Sequence, residues 1–308
     1  MTRPHTPDVL ISEVGPRDGL QSVKATMHTT HKLLWIDALA AAGLREIEVA
    51  SFVPAKLLPQ MADAALVVQH ALRHTGLRVM ALVPNLRGAQ AALQSGAQKL
   101  TLPVSASPAH SMANVRKTPE AMVQEVQAVL HWRDQHAPGV PVEVGMSTAF
   151  GCTLQGHVPE ADVLRLAVQL AQVGVDEIGL SDTTGMGNPA QVSRLFQQLF
   201  REIGERTGSA HMHNTRGLGL ANCLAAYEAG VRTFDSSLGG LGGCPYAPGA
   251  SGNVVTEDLV FMLEAMGVST GIDLEKLMAA RLPLQDGLPG EPLYGMTPEA
   301  GLPKGWRT

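Results

Sequence analysis

The stretch DEIGLSDTTGMGNPAQVSRLFQQLFREI, residues 176–203, holds one complete strand–turn–helix unit. Its opening residues, Asp176–Leu180, form a short run of strand character. Beyond a glycine-containing turn, Val192, Leu195, Phe196, Leu199, Phe200 and Ile203 recur at helical spacing and predict one apolar helix face. The same unit repeats outward in both directions. Asp8–Val14, Arg45–Ala50, Leu77–Val83, Lys99–Val104, Val140–Gly145, Ser209–His213 and Arg232–Ser236 supply the other strands, and the segments between them read as amphipathic helices. Thr118-Pro119 reads as an N-cap followed by a proline at the first helical position. Gly43, Gly96, Gly174 and Gly230 fall where helices should stop and turn toward the next strand.

Strand–helix alternation of this kind implies a parallel sheet coated by helices. Eight such units in about 270 residues favour a closed α/β barrel, the (β/α)8 or TIM-barrel architecture. An open doubly wound sheet would want a phosphate-binding glycine turn after its first strand, and Gly15-Pro16-Arg17-Asp18-Gly19 is not one. The expected division is a catalytic barrel over 1–270 and an irregular C-terminal extension over 271–308, rich in proline and glycine. That extension suits a lid, a contact between copies in a homo-oligomer, or surface wrapping.

The bulk properties agree with a soluble enzyme. The chain has 308 residues, 45% of them hydrophobic and 17% charged, enough for one large core. The net charge of −5 and the scattered basic residues give no footprint for nucleic acid. No apolar run is long enough to cross a bilayer, and the first residues contain no apolar signal core. Cys152, Cys223 and Cys244 cannot all pair, which fits free thiols in a reducing compartment, the cytoplasm by default.

In a barrel the reactive groups gather at the C-terminal strand ends. Those ends present Glu13 and Arg17-Asp18 after strand one, Glu48 on strand two, Ser181-Asp182-Thr183 after strand six, and His211-Met212-His213-Asn214 at strand seven. A glycine-rich loop carrying Cys244 and Asn253 follows strand eight. Residues i and i+2 of a strand share a face, so His211 and His213 can reach one cation. An isolated His-x-His is more often a polar strand end. Closure of the barrel, however, brings strands seven, eight, one and two together, with Asp18 and Glu48 beside the histidines. Asp18, His211, His213 and the Asn253 carbonyl oxygen suit six-coordinate Mg²⁺ or Mn²⁺ with positions left open for substrate and water.

The loop Gly239–Tyr246 lacks the Gly-Lys-Ser/Thr ending of a nucleotide triphosphate site and reads as mobile instead. Cys244 within it is either a small buried hydrophobe or a proton carrier on the catalytic rim. Arg17 is either half of a surface ion pair with Asp18 or a fixed cation for developing enolate charge.

Taken together, EVGPRDGLQ (13–21), EVASFVPAKLLPQMAD (48–63), LVPNLRGAQAAL (82–93), SDTTGMGNP (181–189), HMHNTRGLGLAN (211–222) and GGLGGCPYAPGASGNVVTEDLVFMLEAMG (239–267) resemble the hydroxymethylglutaryl-CoA lyase family. The resemblance runs from the first strand to the last barrel helix. It implies an acyl-CoA substrate and retro-Claisen cleavage of 3-hydroxy-3-methylglutaryl-CoA, or a related 3-hydroxyacyl-CoA, to acetyl-CoA and a keto acid. By the same resemblance Asp18, His211, His213 and Asn253 would ligate the metal and Glu48 would support their shell. Arg17 would hold the thioester carbonyl, Cys244 would act as acid/base, and Asp182 and Glu13 would complete the polar ring. The chain departs from the family where Asn214-Thr215-Arg216-Gly217 replaces the common Asp-Thr-Tyr-Gly, where Gly179-Leu180-Ser181-Asp182 replaces Ser-Leu-Gly-Asp, and where Thr153-Leu154-Gln155-Gly156 replaces Pro-Tyr-Glu-Gly. Arg216 is expected near the site, meeting a substrate carboxylate or a CoA phosphate.

Rival readings are an acyltransferase or an aldolase of the same superfamily acting on 2-keto acids, and a non-catalytic barrel. Synthases of this superfamily tend to carry a glutamate after Arg-Asp-Gly, where this chain has Leu20-Gln21. Packing alone does not require Arg17, Asp18, Glu48, His211, His213 and Cys244 together.

Overall fold

The computed structural model describes residues 7–242 and 252–306. Strand β1 (Leu10–Glu13) leads through a five-residue turn and the single helical turn α1 (Leu20–Ser22) into α2 (Thr29–Ala41). The pattern continues with β2 (Glu46–Ser51) and α3 (Ala64–Ala71), then β3 (Arg78–Leu82) and α4 (Leu86–Gln94). After β4 (Lys99–Ser105) come two helices, α5 (Pro108–Val115) and α6 (Pro119–His136). β5 (Val142–Ser147) and α7 (Glu160–Gln172) are followed by β6 (Glu177–Ser181) and α8 (Pro189–Ile203). The barrel ends with β7 (Thr207–His211), α9 (Gly219–Glu228), β8 (Thr233–Ser236) and α10 (Thr256–Ala265). All eight strands are parallel to their neighbours, and β1 pairs with both β2 and β8, so the sheet closes. Each strand expected from sequence is present.

Local chemistry explains the helix boundaries. Thr118 accepts a bond from the Ala121 N–H at 3.2 Å, which starts α6 as its sequence predicts. Val192, Leu195, Phe196 and Leu199 of α8 are buried, and Phe200 and Ile203 pack at the edge of the same core. Gly43, Gly96, Gly174 and Gly230 follow helix ends with φ of 100°, 96°, 99° and 111°, a region closed to most side chains.

Two features depart from the sequence reading. The extension is not wholly irregular, because it contains α11 (Leu274–Ala279), α12 (Arg281–Gly287) and α13 (Met296–Ala300). It wraps the barrel: Trp306 stacks on Phe261 of α10 at 4.7 Å, and Asp258 of α10 accepts bonds from the Met296 and Thr297 N–H groups. These helices are short and proline-interrupted, so periodicity could not reveal them.

The second is a charged plug inside the barrel. Lys99, 1% exposed, lies 2.8 Å from Glu143, 2.8 Å from Glu177 and 3.4 Å from Glu46. Burial would push Glu143 up, but Lys99, the Ser209 hydroxyl and His211 together hold it below the usual carboxylate range. This layer, polar where barrel interiors usually carry branched apolar side chains, lies beneath the candidate site.

Candidate active site

The turn after β1 sets the site. Residues 15–19 wind as one π-type turn, with Asp18 N–H bonded to the Val14 carbonyl at 2.7 Å. Gly15 is required there, because a Cβ would sit 2.5 Å from Glu13 Oε1 and 3.0 Å from the Trp35 ring. The turn presents Arg17 and Asp18 side by side to a cleft of about 690 Å³ at the barrel mouth. Arg17 Nη1 donates to Asp18 Oδ1 at 2.6 Å, and its Nε and Nη2 both meet Glu48 Oε2 from β2. The guanidinium is therefore clamped between two carboxylates, all three nearly buried. Burial pushes Glu48 up to about 7 despite the opposing pull of Arg17. Its Oε1 is buried without a hydrogen-bond partner among the described residues.

β7 ends at His211, two residues short of the strand end expected from sequence, and His213 lies beyond it in an isolated bridge with Asn253. The two rings still converge: Nε2 of His211 lies 3.1 Å from Nε2 of His213. Register places Asp235 of β8 opposite His211, and Asp235 Oδ2 takes the His211 Nδ1 side at 3.1 Å. A carboxylate on Nδ1 fixes the tautomer whose Nε2 lone pair points away from it, toward His213. Burial and the neighbouring His211 depress His213 to about 3, so that its ring is neutral at ordinary pH.

Asp18, His211 and His213 bring one ligand atom each within 4.8 Å of the others. Asn253 Nδ2 donates to Asp18 Oδ2 at 2.7 Å, which leaves Asn253 Oδ1 buried with no hydrogen-bond partner among the described residues. An orphaned carbonyl oxygen, a carboxylate held below its usual range by Arg17 and the histidines, and two imidazoles facing each other fit a divalent cation. The mix of oxygen and imidazole donors suits a hard or borderline ion with open positions, rather than a closed thiolate zinc site.

Several expected residues stand elsewhere. Glu13 does not line the cleft: its carboxyl ties the loop after β8 to the barrel, accepting from Gly15 N–H, Leu238 N–H and the Thr256 hydroxyl. Asp182 likewise faces its own turn, accepting from the Met186 and Gly187 N–H groups. Arg216 donates to the Thr184 and Gly185 carbonyls and so braces the loop after β6; it does not line the cleft. Among the described residues Glu48 is linked to the triad through Arg17. Cys244 lies outside the described residues.

The cleft also holds groups that sequence reasoning passed over. Asp235 and Glu143 form part of its inner wall, and Arg116 and Lys117 stand on its lining beyond α5. Arg116 has a φ of 57° at the helix end, an unusual conformation for a residue with a side chain. Strand alternation together with the β7–β8 neighbour relation was enough to find Asp235, since His211 and its register partner share a layer of the barrel.

Comparison with known proteins gives a consistent picture. The HMGL-like family pattern matches residues 8–282. The chain is 40% identical over 290 residues to the hydroxymethylglutaryl-CoA lyase YngG of Bacillus subtilis, covering 94% of this chain and 96% of that protein. Its fold is similar to an HMG-CoA lyase of Acinetobacter baumannii in complex with coenzyme A and 3-methylmalate, with a TM-score of 0.91 and 39% identity over 97% of each chain. A hydroxymethylglutaryl-CoA lyase of Pseudomonas aeruginosa superposes with a TM-score of 0.90 at 38% identity, over 96% of this chain and 97% of the other.

Proposed function

The chain belongs to the HMGL-like family, and from that membership we propose that it is a divalent-metal-dependent carbon–carbon lyase acting on 3-hydroxy-3-methylglutaryl-CoA or a closely related 3-hydroxyacyl-CoA. The observation that carries the reading is the meeting of Asp18, His211 and His213 beside a clamped Arg17 at the mouth of one cleft. In it, Asp18, His211, His213 and the side-chain oxygen of Asn253 would hold Mg²⁺ or Mn²⁺. When bound, such an ion would supply Lewis-acid chemistry that lowers the pKa of the substrate's 3-hydroxyl.

The chain's own groups handle the charge. As a base in the cleft takes the hydroxyl proton and the C2–C3 bond breaks, C3 becomes the carbonyl of the departing keto acid and the electron pair passes to C2 and the thioester oxygen. Arg17 donates to that oxygen, and the two carboxylates that clamp it keep it from swinging away as charge develops. Cys244, carried on the glycine loop, delivers the proton that C2 takes up to give acetyl-CoA. Glu48 acts on the site through Arg17, and Glu13 and Asp182 act by holding loops.

Catalysis belongs to residues 1–270, and the extension 271–308 braces the entrance to the glycine loop. Arg281 pairs with Glu257 at 2.6 Å, and Tyr294 N–H bonds the Gly239 carbonyl at 2.7 Å. The free, buried Cys152 and Cys223 suit a reducing compartment, and we place the reaction in the cytoplasm. Among the described residues no helix is long and apolar enough to cross a membrane.

A panel of 3-hydroxyacyl-CoAs tests the reading. It includes 3-hydroxy-3-methylglutaryl-CoA and thioesters of shorter dicarboxylic hydroxyacids, since the Acinetobacter protein holds 3-methylmalate. Incubation with Mg²⁺ or Mn²⁺ should release acetyl-CoA, detected by mass spectrometry, and a chelator should abolish it. Turnover that survives the chelator, or no turnover on any member, rejects the proposal.

A further inference from the structure

A second cluster of one aspartate and two histidines lies on the outside of the barrel, away from the cleft. Asp37 stands on α2, His70 stands on α3, and His74 follows in the turn after α3. His70 Nε2 lies 2.6 Å and His74 Nε2 2.7 Å from the same oxygen, Asp37 Oδ1. The three ligand atoms fall within 4.8 Å of one another. From this geometry we propose that Asp37, His70 and His74 form a second metal site, taking a borderline transition-metal dication of the Zn²⁺ class and clipping α2 to α3.

The spacing supplies the first argument. Side chains four residues apart project from the same side of a helical turn, so His70 and His74 reach out together and Asp37 meets them from the neighbouring helix. One histidine would complete an ordinary ion pair with Asp37. Two imidazoles drawn to a single carboxylate oxygen repel each other when both carry protons, whereas a dication satisfies all three donors at once. The donor set is two imidazole nitrogens and one carboxylate oxygen, which suits zinc and its transition-metal neighbours and leaves a fourth position for water.

Access and geometry permit it. The side chains of Asp37, His70 and His74 are 41%, 17% and 28% exposed, so a cation can enter from solvent and keep part of its hydration. Bonds of about 2.0–2.1 Å in a tetrahedron set ligand atoms roughly 3.3 Å apart. The contacts at 2.6 and 2.7 Å therefore widen to roughly 3.3 Å, within the swing of partly exposed side chains. The rings stand edge to face with centroids 6.0 Å apart, so neither blocks the other. The proposal is independent of how the cleft is read, since none of the three residues lines it.

The test uses the full chain with the cleft saturated by Mn²⁺. Zn²⁺ is added, unbound ion is removed by gel filtration, and metal per chain is counted by elemental mass spectrometry. The wild type should retain one more equivalent of Zn²⁺ than the H70Q/H74Q double variant, while Mn²⁺ content and the Mn²⁺-dependent turnover stay the same. Asp37→Asn provides a milder variant, confirmed folded by circular dichroism, and should weaken Zn²⁺ binding by more than the roughly 10–100-fold typical of losing an outer partner. Cu²⁺ used as a spectroscopic probe should show coupling to two imidazole nitrogens in the wild type and lose it in H70Q/H74Q. Equal Zn²⁺ content in wild type and H70Q/H74Q, or Cu²⁺ spectra without that difference, overturns the site.

Discussion

Asp18, His211 and His213 at the barrel mouth and Asp37, His70 and His74 on its helical coat share residue types but not surroundings. In the inner cluster Asp18 and His211 are each held by a partner that is not itself a member of the set. Asp18 is gripped by Arg17 at 2.6 Å on one oxygen and by Asn253 at 2.7 Å on the other, and His211 rests on Asp235 at 3.1 Å. With the Asp18 oxygens and His211 Nδ1 already engaged, the two imidazoles present Nε2 to each other across 3.1 Å. In the outer cluster the two rings lean on the aspartate itself, through one oxygen. The residue types decide which cations are acceptable, and the surroundings decide whether the donors wait in place or must be gathered.

That contrast is broken most directly by deleting a ligand from each cluster. His211→Ala should lower turnover by about 10³-fold or more, because several kcal/mol of charge stabilisation depend on the ion. His70→Ala should leave turnover within a factor of about two, as expected of a substitution away from the reacting groups. Steady-state kinetics at saturating Mn²⁺ measure both. Equal losses would mean that the outer cluster communicates with the cleft and that the division drawn here is wrong.

Next in size is Arg17, which only the inner cluster has. Arg17→Gln should cost roughly 10²–10³ in kcat, the scale of a lost oxyanion partner, while Mn²⁺ still binds. It also leaves Glu48 without its cation in a buried place, so thermal unfolding is needed beside the kinetics to separate misfolding from lost chemistry. A variant with normal kcat would return Arg17 to the role of a simple ion-pair partner.

The same contrast explains what could be read in advance. Strand and helix periods repeat through the chain, so barrel, strand order and the meeting of Asp18 with His211 and His213 were legible once the eighth strand was taken to neighbour the first. Direction was less legible. Glu13 and Asp182 complete the ring by the family resemblance, yet each carboxyl satisfies backbone N–H groups of nearby loops, a demand that no spacing reveals. Lys99 reads as an ordinary polar start to β4, and its burial among Glu46, Glu143 and Glu177 depends on three strands at once. The outer cluster went unseen for the same reason, since His70 and His74 are a helical pair but Asp37 reaches them only through the packing of α2 on α3.

The smallest effect sharpens the comparison furthest, because it concerns the partner the outer cluster lacks. Asp235→Asn keeps the size of the side chain and the capacity of one oxygen to accept from His211 Nδ1, but removes the negative charge. If Asp235 serves to fix the tautomer and raise the basicity of His211, Mn²⁺ affinity should fall roughly 10–100-fold. KM and the unfolding temperature should change little, since Asp235 contacts the ligand rather than the reacting atoms. The His211 nitrogen shifts in ¹⁵N NMR of the metal-free protein should show Nδ1 carrying the proton in the wild type and a mixture of tautomers in the variant. Those shifts separate positioning from bulk, because a side chain that merely filled the barrel would leave both the tautomer and the affinity as they were. Unchanged affinity would assign the order of the inner cluster to Asp18 and its two partners alone, and the inner and outer histidines would then differ only in burial.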